Sequence, residues 1–536
     1  MSDRSSDIVI VGSGVAGSLV AYHLAQAGLG VLLLEAGPRV KRGAIVENFR
    51  NSAVKDDYMT PYPASAHAPH PQFAPPNHYL IEKGSHPYAA QYIRAVGGTT
   101  WHWAAAAWRL LPSDFRLQTQ YGVGRDWPID YAALEPFYCQ AERELGVSGA
   151  DQADVGSPRS QPYPMPALPL SWMDRRFTDV MQANGYHVVP EPAARNSRPY
   201  DQRPTCCGNN NCMPICPIGA QYAGVVHAHK AEQAGATLLA DAVVYRIEHD
   251  SSGAIAAVHY KDAAGVSSRV SGRLFVLAAN GIEIPKLMLM STSPRYPHGI
   301  GNSSDMVGRN LMDHPGTGVN FLSQEALWPG RGPMEMTSVV NLRDGAFRSQ
   351  HSAKKLHLSN ASVTADVATD LIVNKKMAGP GLDRQIRDRS ARKLIINAFH
   401  EQLPDPANRI LPSREHQDAI GIPQPEIHYS IDDYVRRSAA DTRSNYARIA
   451  ALFGGTEIEF KDDFAPNNHI MGTAIMGDDP ANSVVDANCR THDHPNLYIA
   501  SSAVMPSAAS VNCTLTIAAL ACRLADHLQH QVKVAS

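Results

Sequence analysis

Residues 7–17, DIVIVGSGVAG, place glycines at 12, 14 and 17 between a short β-branched run and a stretch with helical spacing. A strand that ends in GxGxxG must turn tightly into a helix. The turn brings backbone close to a ligand and aims the helix N-terminus at it. That end of a helix favours negative charge, so the pyrophosphate of a dinucleotide is the ligand such a turn suits. Val15 to Ala27 reads as the helix, and Val31 to Leu34 as a second buried strand. Glu35 ends that strand, 21 residues after Gly14, where an acidic side chain takes ribose hydroxyls. Gly12, Gly14, Gly17 and Glu35 are therefore candidate cofactor contacts. NAD and FAD share this fingerprint, and it does not choose between them.

At 536 residues the chain is longer than one compact domain usually is. With 44% hydrophobic and 18% charged residues it can bury a full-sized core. Lys plus Arg number 48 against 51 Asp plus Glu. That leaves no basic surplus to neutralise a phosphate backbone, so nucleic acid is not an expected partner. The start, MSDRSSDIVIVGSG, lacks the basic, apolar and small-residue regions of an export signal. No apolar run approaches the ~18 residues of a membrane span. The expectation is a chain that neither crosses a membrane nor directs its own export.

Further along, residues 37–90 are rich in Pro, His and Tyr without a clear period, which reads as an ordered surface excursion. Residues 151–225 are loop-rich, and 239–276 alternate as in an antiparallel meander. Leu274 to Ala279 reads as another buried strand, and GIEIPKLMLMS (281–291) as the helix after it. The stretch 316–460 mixes both patterns, with a charged helix around 381–397. The tail from Cys513 reads as an amphipathic helix. The fold class expected from this pattern is α/β, α+β overall.

Three stretches separate FAD from NAD. AVGGTTWHWAAAAWR (95–109), NGIEIPKLMLMS (280–291) and DMVGRNLMDHPG (305–316) resemble flavin-contacting signatures of the glucose-methanol-choline oxidoreductase family. HPNLYIASSAVMPSAASVNCTLTIAALACRLAD (494–526) resembles that family's closing strand, loop and helix. The resemblance implies tightly bound FAD. It implies a Rossmann-like FAD-binding domain assembled from 1–115, 225–315 and 461–536. A discontinuous substrate domain on an antiparallel sheet would take 116–224 and 316–460. Gly97 and Gly98 permit close backbone approach, and the small residues 104–107 leave room for a flat ring. Trp101, His102 and Trp103 read either as an aromatic core cluster or as flavin neighbours. Some family members attach flavin through a His in this loop, and sequence leaves that open for His102.

APNNHIMGTAIMG puts His469 in a polar loop, and the closing stretch puts Asn512 just before the last helix. In the family a His and a His or Asn from these places face the flavin. Alcohol oxidation needs one group to take the hydroxyl proton as hydride leaves, and another to hold the oxygen. Histidine titrates near neutral pH and asparagine does not. The resemblance thus makes His469 the catalytic base and Asn512 its catalytic partner in positioning. Asn468 is a candidate substrate contact, or an Asx turn.

RPTCCGNNNCMPICPIG (203–219) holds four of the eight cysteines. A disulfide staple, a zinc site with His227 or His229, and an iron–sulfur cluster all remain open on spacing alone. Within the family, this insert is similar to the catalytic subunits of bacterial FAD-dependent glucose dehydrogenases. The resemblance implies a three-iron cluster (3Fe-4S) on C-x5-C-x3-C, hence Cys206, Cys212 and Cys216 as metal ligands. Cys207 is left outside, or becomes the fourth ligand of a 4Fe-4S cluster. It further implies oxidation of the anomeric hydroxyl of D-glucose to the lactone, with sorbitol, fructose or gluconate as alternative sugar substrates. A non-catalytic electron-transfer flavoprotein and a dioxygen-using oxidase are the rival readings. The implied partners are a small chaperone-like subunit carrying the export signal and a multihaem cytochrome c that anchors the complex on the periplasmic side of the inner membrane.

Overall fold

The computed structural model describes residues 4–53, 59, 61–62, 64–71 and 79–535. Parts of the 37–90 excursion (54–58, 60, 63 and 72–78) lie outside the described residues. The described part includes a helix, Arg42–Asn51, and a short strand, Ile81–Glu82.

The opening run forms the strand Arg4–Val11, the centre of a parallel array. Val31–Leu34 pairs on one side, with Ile8 opposite Val31, and Ser267–Leu277 on the other, with Ile8 opposite Leu274. Thr237–Leu239 and Leu497–Ile499 extend the array, also in parallel. Ile8, Val9, Ile10 and Leu33 are fully buried, as expected for parallel strands covered on both faces, which read as unbroken apolar runs. Ser267–Leu277 does two jobs. Its first half pairs antiparallel with Ile255–Lys261, and its second half pairs parallel with the closing strand. The meander expected over 239–276 is formed by Val243–His249, Ile255–Lys261 and Ser267–Leu277, and its last strand, 11 residues long, also takes in most of the strand expected at 274–279.

The carboxyl ends of these strands, Val11, Leu34, Leu277 and Ile499, share one edge of the array. Ligands of open α/β sheets bind outside that edge. The helix Val15–Gln26 packs behind it against Val225–Gln233 and Thr514–Ala535.

A second, six-stranded sheet runs Thr456–Ala465, Gly316–Leu322, Lys393–His400, Lys354–Ser359, Glu335–Val339, Val188–Pro190, antiparallel throughout. Side chains alternate across it. Leu356, Leu358, Leu394, Ile396 and Ala398 face a core with Phe177, Met181, Tyr446 and Ile449. Lys355, His357, Asn397 and Phe399 take the opposite face, because Lys355 pairs with Phe399 and His357 with Asn397. The covering helices are capped by side chains. Ser171 and Asp174 form a capping box before Trp172–Ala183, and Asp432 accepts from the Val435 N–H at the start of Asp433–Leu452.

The helix expected over 381–397 is shorter than the charge pattern implied. It spans Pro380–Arg392, and Lys393–His400 is a strand. The alternating KLIINAFH is held between two neighbouring strands, and that pairing overrides the helical charge pattern upstream. Among the described residues no helix is long and apolar enough to cross a membrane.

Candidate active site

A cavity of about 560 Å³ opens along the carboxyl edge of the parallel array and runs to the second sheet. Its near end is lined by Gly12, Gly14, Glu35 and Gly98, its middle by His102 to Ala106, and its far end by His469, Asn512, Glu335 and His357.

The near end is built around glycine. A Cβ on Gly17 would lie 1.9 Å from the Gly12 carbonyl oxygen, so that glycine exists for helix–strand contact. Around Gly14 a Cβ would meet nothing within 4 Å. This position faces open cavity, as a backbone that cradles a ligand requires. Gly97 (φ +97°) and Gly98 (φ +60°) bring the second loop against it; a Cβ on Gly98 would lie 3.0 Å from the Gly14 Cα. Glu35 Oε2 accepts from the Ser13 N–H (2.9 Å) and hydroxyl (2.7 Å), and Oε1 from the Gly37 N–H (3.1 Å). Burial raises its pKa, opposed by those hydrogen bonds. Trp101 is in the core, whereas His102 and Trp103 line the cavity. His102 is buried with no partner at Nε2, and burial lowers its pKa to about 4.

At the far end a chain of hydrogen bonds fixes His469. His314 Nε2 lies 3.1 and 3.0 Å from the carbonyl oxygens of Ala508 and Ala509, which can only accept. His314 Nε2 therefore carries the hydrogen. Burial lowers the His314 pKa to about 4, so the ring is neutral and its Nδ1 holds a lone pair. That nitrogen is 2.8 Å from His469 Nδ1, which must donate. His469 Nε2 is left with a lone pair, 3.1 Å from the Asn512 amide nitrogen. Burial, then His314, Lys355 and His357, hold the His469 pKa well below the ordinary histidine value. The ring is an unprotonated base at neutral pH.

Other groups hold this pair. Asp313 accepts the backbone N–H groups of His314 and His469 at one oxygen and of Asn467 and Asn468 at the other. Lys355 Nζ donates to Asn512 Oδ1 (3.2 Å) and to Glu191 (3.1 Å), turning the Asn512 amide nitrogen toward His469. Asp313, His314 and His469 could be grouped as metal ligands by distance. The four N–H groups on Asp313 and the two engaged nitrogens of His314 do not fit that use. Asn468 sits at φ +60°, lines the cavity, and its side-chain oxygen accepts from the Gln91 N–H (2.7 Å).

All eight cysteines are free, so the disulfide staple does not form. The zinc option through His227 fails as well, because its ring nitrogens meet Tyr222 (2.8 Å) and Glu144 (3.0 Å). Cys212 and Cys216 are buried, Cys206 is half-buried, and Cys207 is exposed. The loop adjoins the cavity: Met213 lines it, and the Gln221 amide donates to the carbonyls of both Trp103 (2.6 Å) and Cys212 (3.3 Å).

Comparison with known proteins bears on the family directly. Residues 7–124 match the family model described as FAD dependent oxidoreductase, and 404–521 match GMC oxidoreductase. The chain is 50% identical to the fructose dehydrogenase large subunit of Gluconobacter japonicus, covering 99% of this chain and 98% of that one. The chain belongs to the GMC oxidoreductase family. It is also 30% identical to paromamine 6'-oxidase of Streptomyces fradiae, over 98% of this chain and 91% of that one. In fold it is similar to pyridoxine 4-oxidase from Mesorbium loti, with a TM-score of 0.63, 18% identity, and coverage of 98% and 99%.

This GMC oxidoreductase is FAD-dependent, and its residues fit the cofactor. The open space at Gly14 would admit a pyrophosphate, and the small residues Ala104–Ala106 flank the middle of the cavity. The two glycines should therefore respond differently to Ala. Gly17→Ala is expected to destabilise the fold by about 3 kcal/mol, the upper part of the overpacking range. Gly14→Ala should keep its melting temperature as apoprotein yet bind FAD more weakly. Thermal unfolding alongside flavin absorbance checks both.

Sequence reasoning did not single out His314, Asp313, Lys355, Glu191, Glu335 or His357. For the first two the signal was DHP within a stretch already noted. For Lys355 and His357 it was the alternation in KKLHLS.

Proposed function

We propose that this GMC oxidoreductase is the flavin-bearing large subunit of a sugar dehydrogenase acting on D-fructose, in place of the D-glucose expected from the cysteine motif. The observation that carries the enzymatic reading is the unprotonated His469 Nε2 beside the Asn512 amide in the cavity. Identity of 50% along essentially the whole chain to a fructose dehydrogenase large subunit favours the ketose. A non-catalytic flavoprotein would have no use for a base held in one tautomer.

When bound, FAD supplies the hydride acceptor, and an iron–sulfur cluster supplies a one-electron carrier. The chain's own residues do the rest. The substrate hydroxyl comes against both His469 Nε2 and the Asn512 amide and replaces the hydrogen bond between them. His469 Nε2 takes its proton, and the Asn512 N–H donates to the oxygen as charge builds there. His314 stabilises the imidazolium that forms by accepting from Nδ1. The anomeric carbon of a ketose bears no hydrogen, so hydride must leave another carbinol carbon and the product is a dicarbonyl rather than a lactone. Kinetics with fructose, glucose, sorbitol and gluconate and an artificial acceptor test this. Fructose should give the highest kcat/KM, with a dicarbonyl product. A higher value for glucose with lactone formed would overturn the substrate assignment.

Cys206, Cys212 and Cys216 would hold the cluster, and the exposure of Cys207 favours three ligands over four. Purified anaerobically, Cys207→Ser should retain its iron, while Cys212→Ser should lose it along with turnover of the acceptor. Fructose should still bleach the flavin of Cys212→Ser. The designation "large subunit" for the relative supports partner subunits. Those proposed are a small subunit with the export signal and a multihaem cytochrome c, facing the periplasm.

A further inference from the structure

The far wall of the cavity carries two polar groups that make no hydrogen bond to the base or to the residues that orient it. Glu335 begins the strand Glu335–Val339 and His357 sits on Lys354–Ser359; both line the cavity. Glu335 Oε2 and His357 Nδ1 are buried atoms without a hydrogen-bond partner. His357 is only 3% exposed. Its Nε2 lies 3.8 Å from Glu335 Oε1, so the pair is adjacent yet each keeps one unused atom. Folded proteins rarely leave two such atoms on one cavity wall unless something else completes them. Neither group belongs to the core of the second sheet, since the alternation that buries Leu356 and Leu358 turns His357 to the cavity.

Their placement relative to the base points to the occupant. The Phe399 ring lies between, 4.6 Å from the His357 ring and 5.4 Å from the His469 ring. Asn397 lines the same wall. A flat apolar plate flanked by a base on one side and a carboxyl–imidazole pair on the other suits a molecule with C–H faces and hydroxyls at both ends.

We propose that Glu335 and His357 form a hydroxyl-reading subsite of this enzyme, binding vicinal hydroxyls of a cyclic polyol away from the carbon being oxidised. Glu335 Oε2 and His357 Nδ1 each take one hydroxyl, and this sets which carbinol is presented to His469. The inference rests on the sugar dehydrogenase reading.

The test measures KM and kcat of Glu335→Ala, His357→Ala and Glu335→Gln holoenzymes, using fructose and deoxyfructoses lacking one hydroxyl. Loss of a buried hydrogen bond should raise KM for fructose about ten- to a hundred-fold in either Ala variant, with kcat falling far less. Glu335→Gln, which can still bond a hydroxyl, should recover most of that rise. One deoxyfructose should bind wild type as poorly as the Ala variants bind fructose, and lose little more in the variant. Unchanged KM in both Ala variants, with wild-type flavin bleached by fructose, would overturn the subsite alone. Wild-type flavin that no sugar or polyol bleaches would overturn the sugar reading and the subsite together. A fall confined to kcat would move the pair into the chemistry and also overturn the subsite.

Discussion

In the His469→Ala variant kcat is expected to fall by about 10²–10⁴-fold, the usual worth of a positioned general base, while FAD stays bound. The glycine turns that would hold the cofactor lie at the other end of the cavity from His469. Rapid mixing with fructose under anaerobic conditions isolates the reductive half-reaction, and flavin absorbance at the start checks occupancy. The pH dependence of kcat should report the same group. Burial and the neighbouring His314 and Lys355 disfavour the protonated ring. The base is therefore active when unprotonated, and activity should be lost only as pH falls well below the ordinary histidine value of about 6.5. An acid limb at 6.5 or above would contradict the buried, neutral His469. So would a His469→Ala variant that bleaches at the wild-type rate.

The His314→Leu variant is expected to lose about 10²-fold in kcat, since a small misplacement of a catalytic group has effects of that size. Leu cannot accept from His469 Nδ1–H, so the ring is freed to rotate or to place its hydrogen on Nε2. KM and flavin content should change little, which separates a positioning role from a structural one. His314→Asn, whose amide oxygen can stand near the Nδ1 position, should regain part of the loss. Leu and Asn variants with identical kcat would argue that His314 fills space and does not orient the base. Burial of His314, His357 and His400, with pKa values lowered to about 4, 3 and 3, also carries a stability consequence. Each is neutral in the fold and protonated more readily when unfolded. Their contribution is present above about pH 6.5 and is lost as pH falls toward about 4 for His314 and about 3 for His357 and His400.

Much of the first sheet could be read from the chain because its signals are local. DIVIV, the glycines at 12, 14 and 17, and VLLLE specify strand, turn, helix and strand within about thirty residues. The Cys513 tail was legible for the same reason, whereas the helix Trp172–Ala183 lies in a stretch whose composition reads as loop. The double use of Ser267–Leu277 was not, since its two halves answer to partners far apart in sequence, 257–261 and 497–499. The 381–397 helix was drawn too long because charge spacing says nothing about the strands that claim Lys393–His400.

The sequence by itself determined a glycine turn suited to a nucleotide and a cysteine loop, because each depends on residue types a few positions apart; the candidate His–Asn pair, 43 residues apart, came from the family resemblance of two stretches. Tertiary structure decided what those residues can do. Only the fold sets Ala508 and Ala509 against His314, and His314 against His469, which leaves the base its lone pair. Only the register of Lys355 with Phe399 and His357 with Asn397 turns a polar face into the cavity. Protonation, tautomer and reach depend on what is packed around a group, and those neighbours come from segments more than a hundred residues apart.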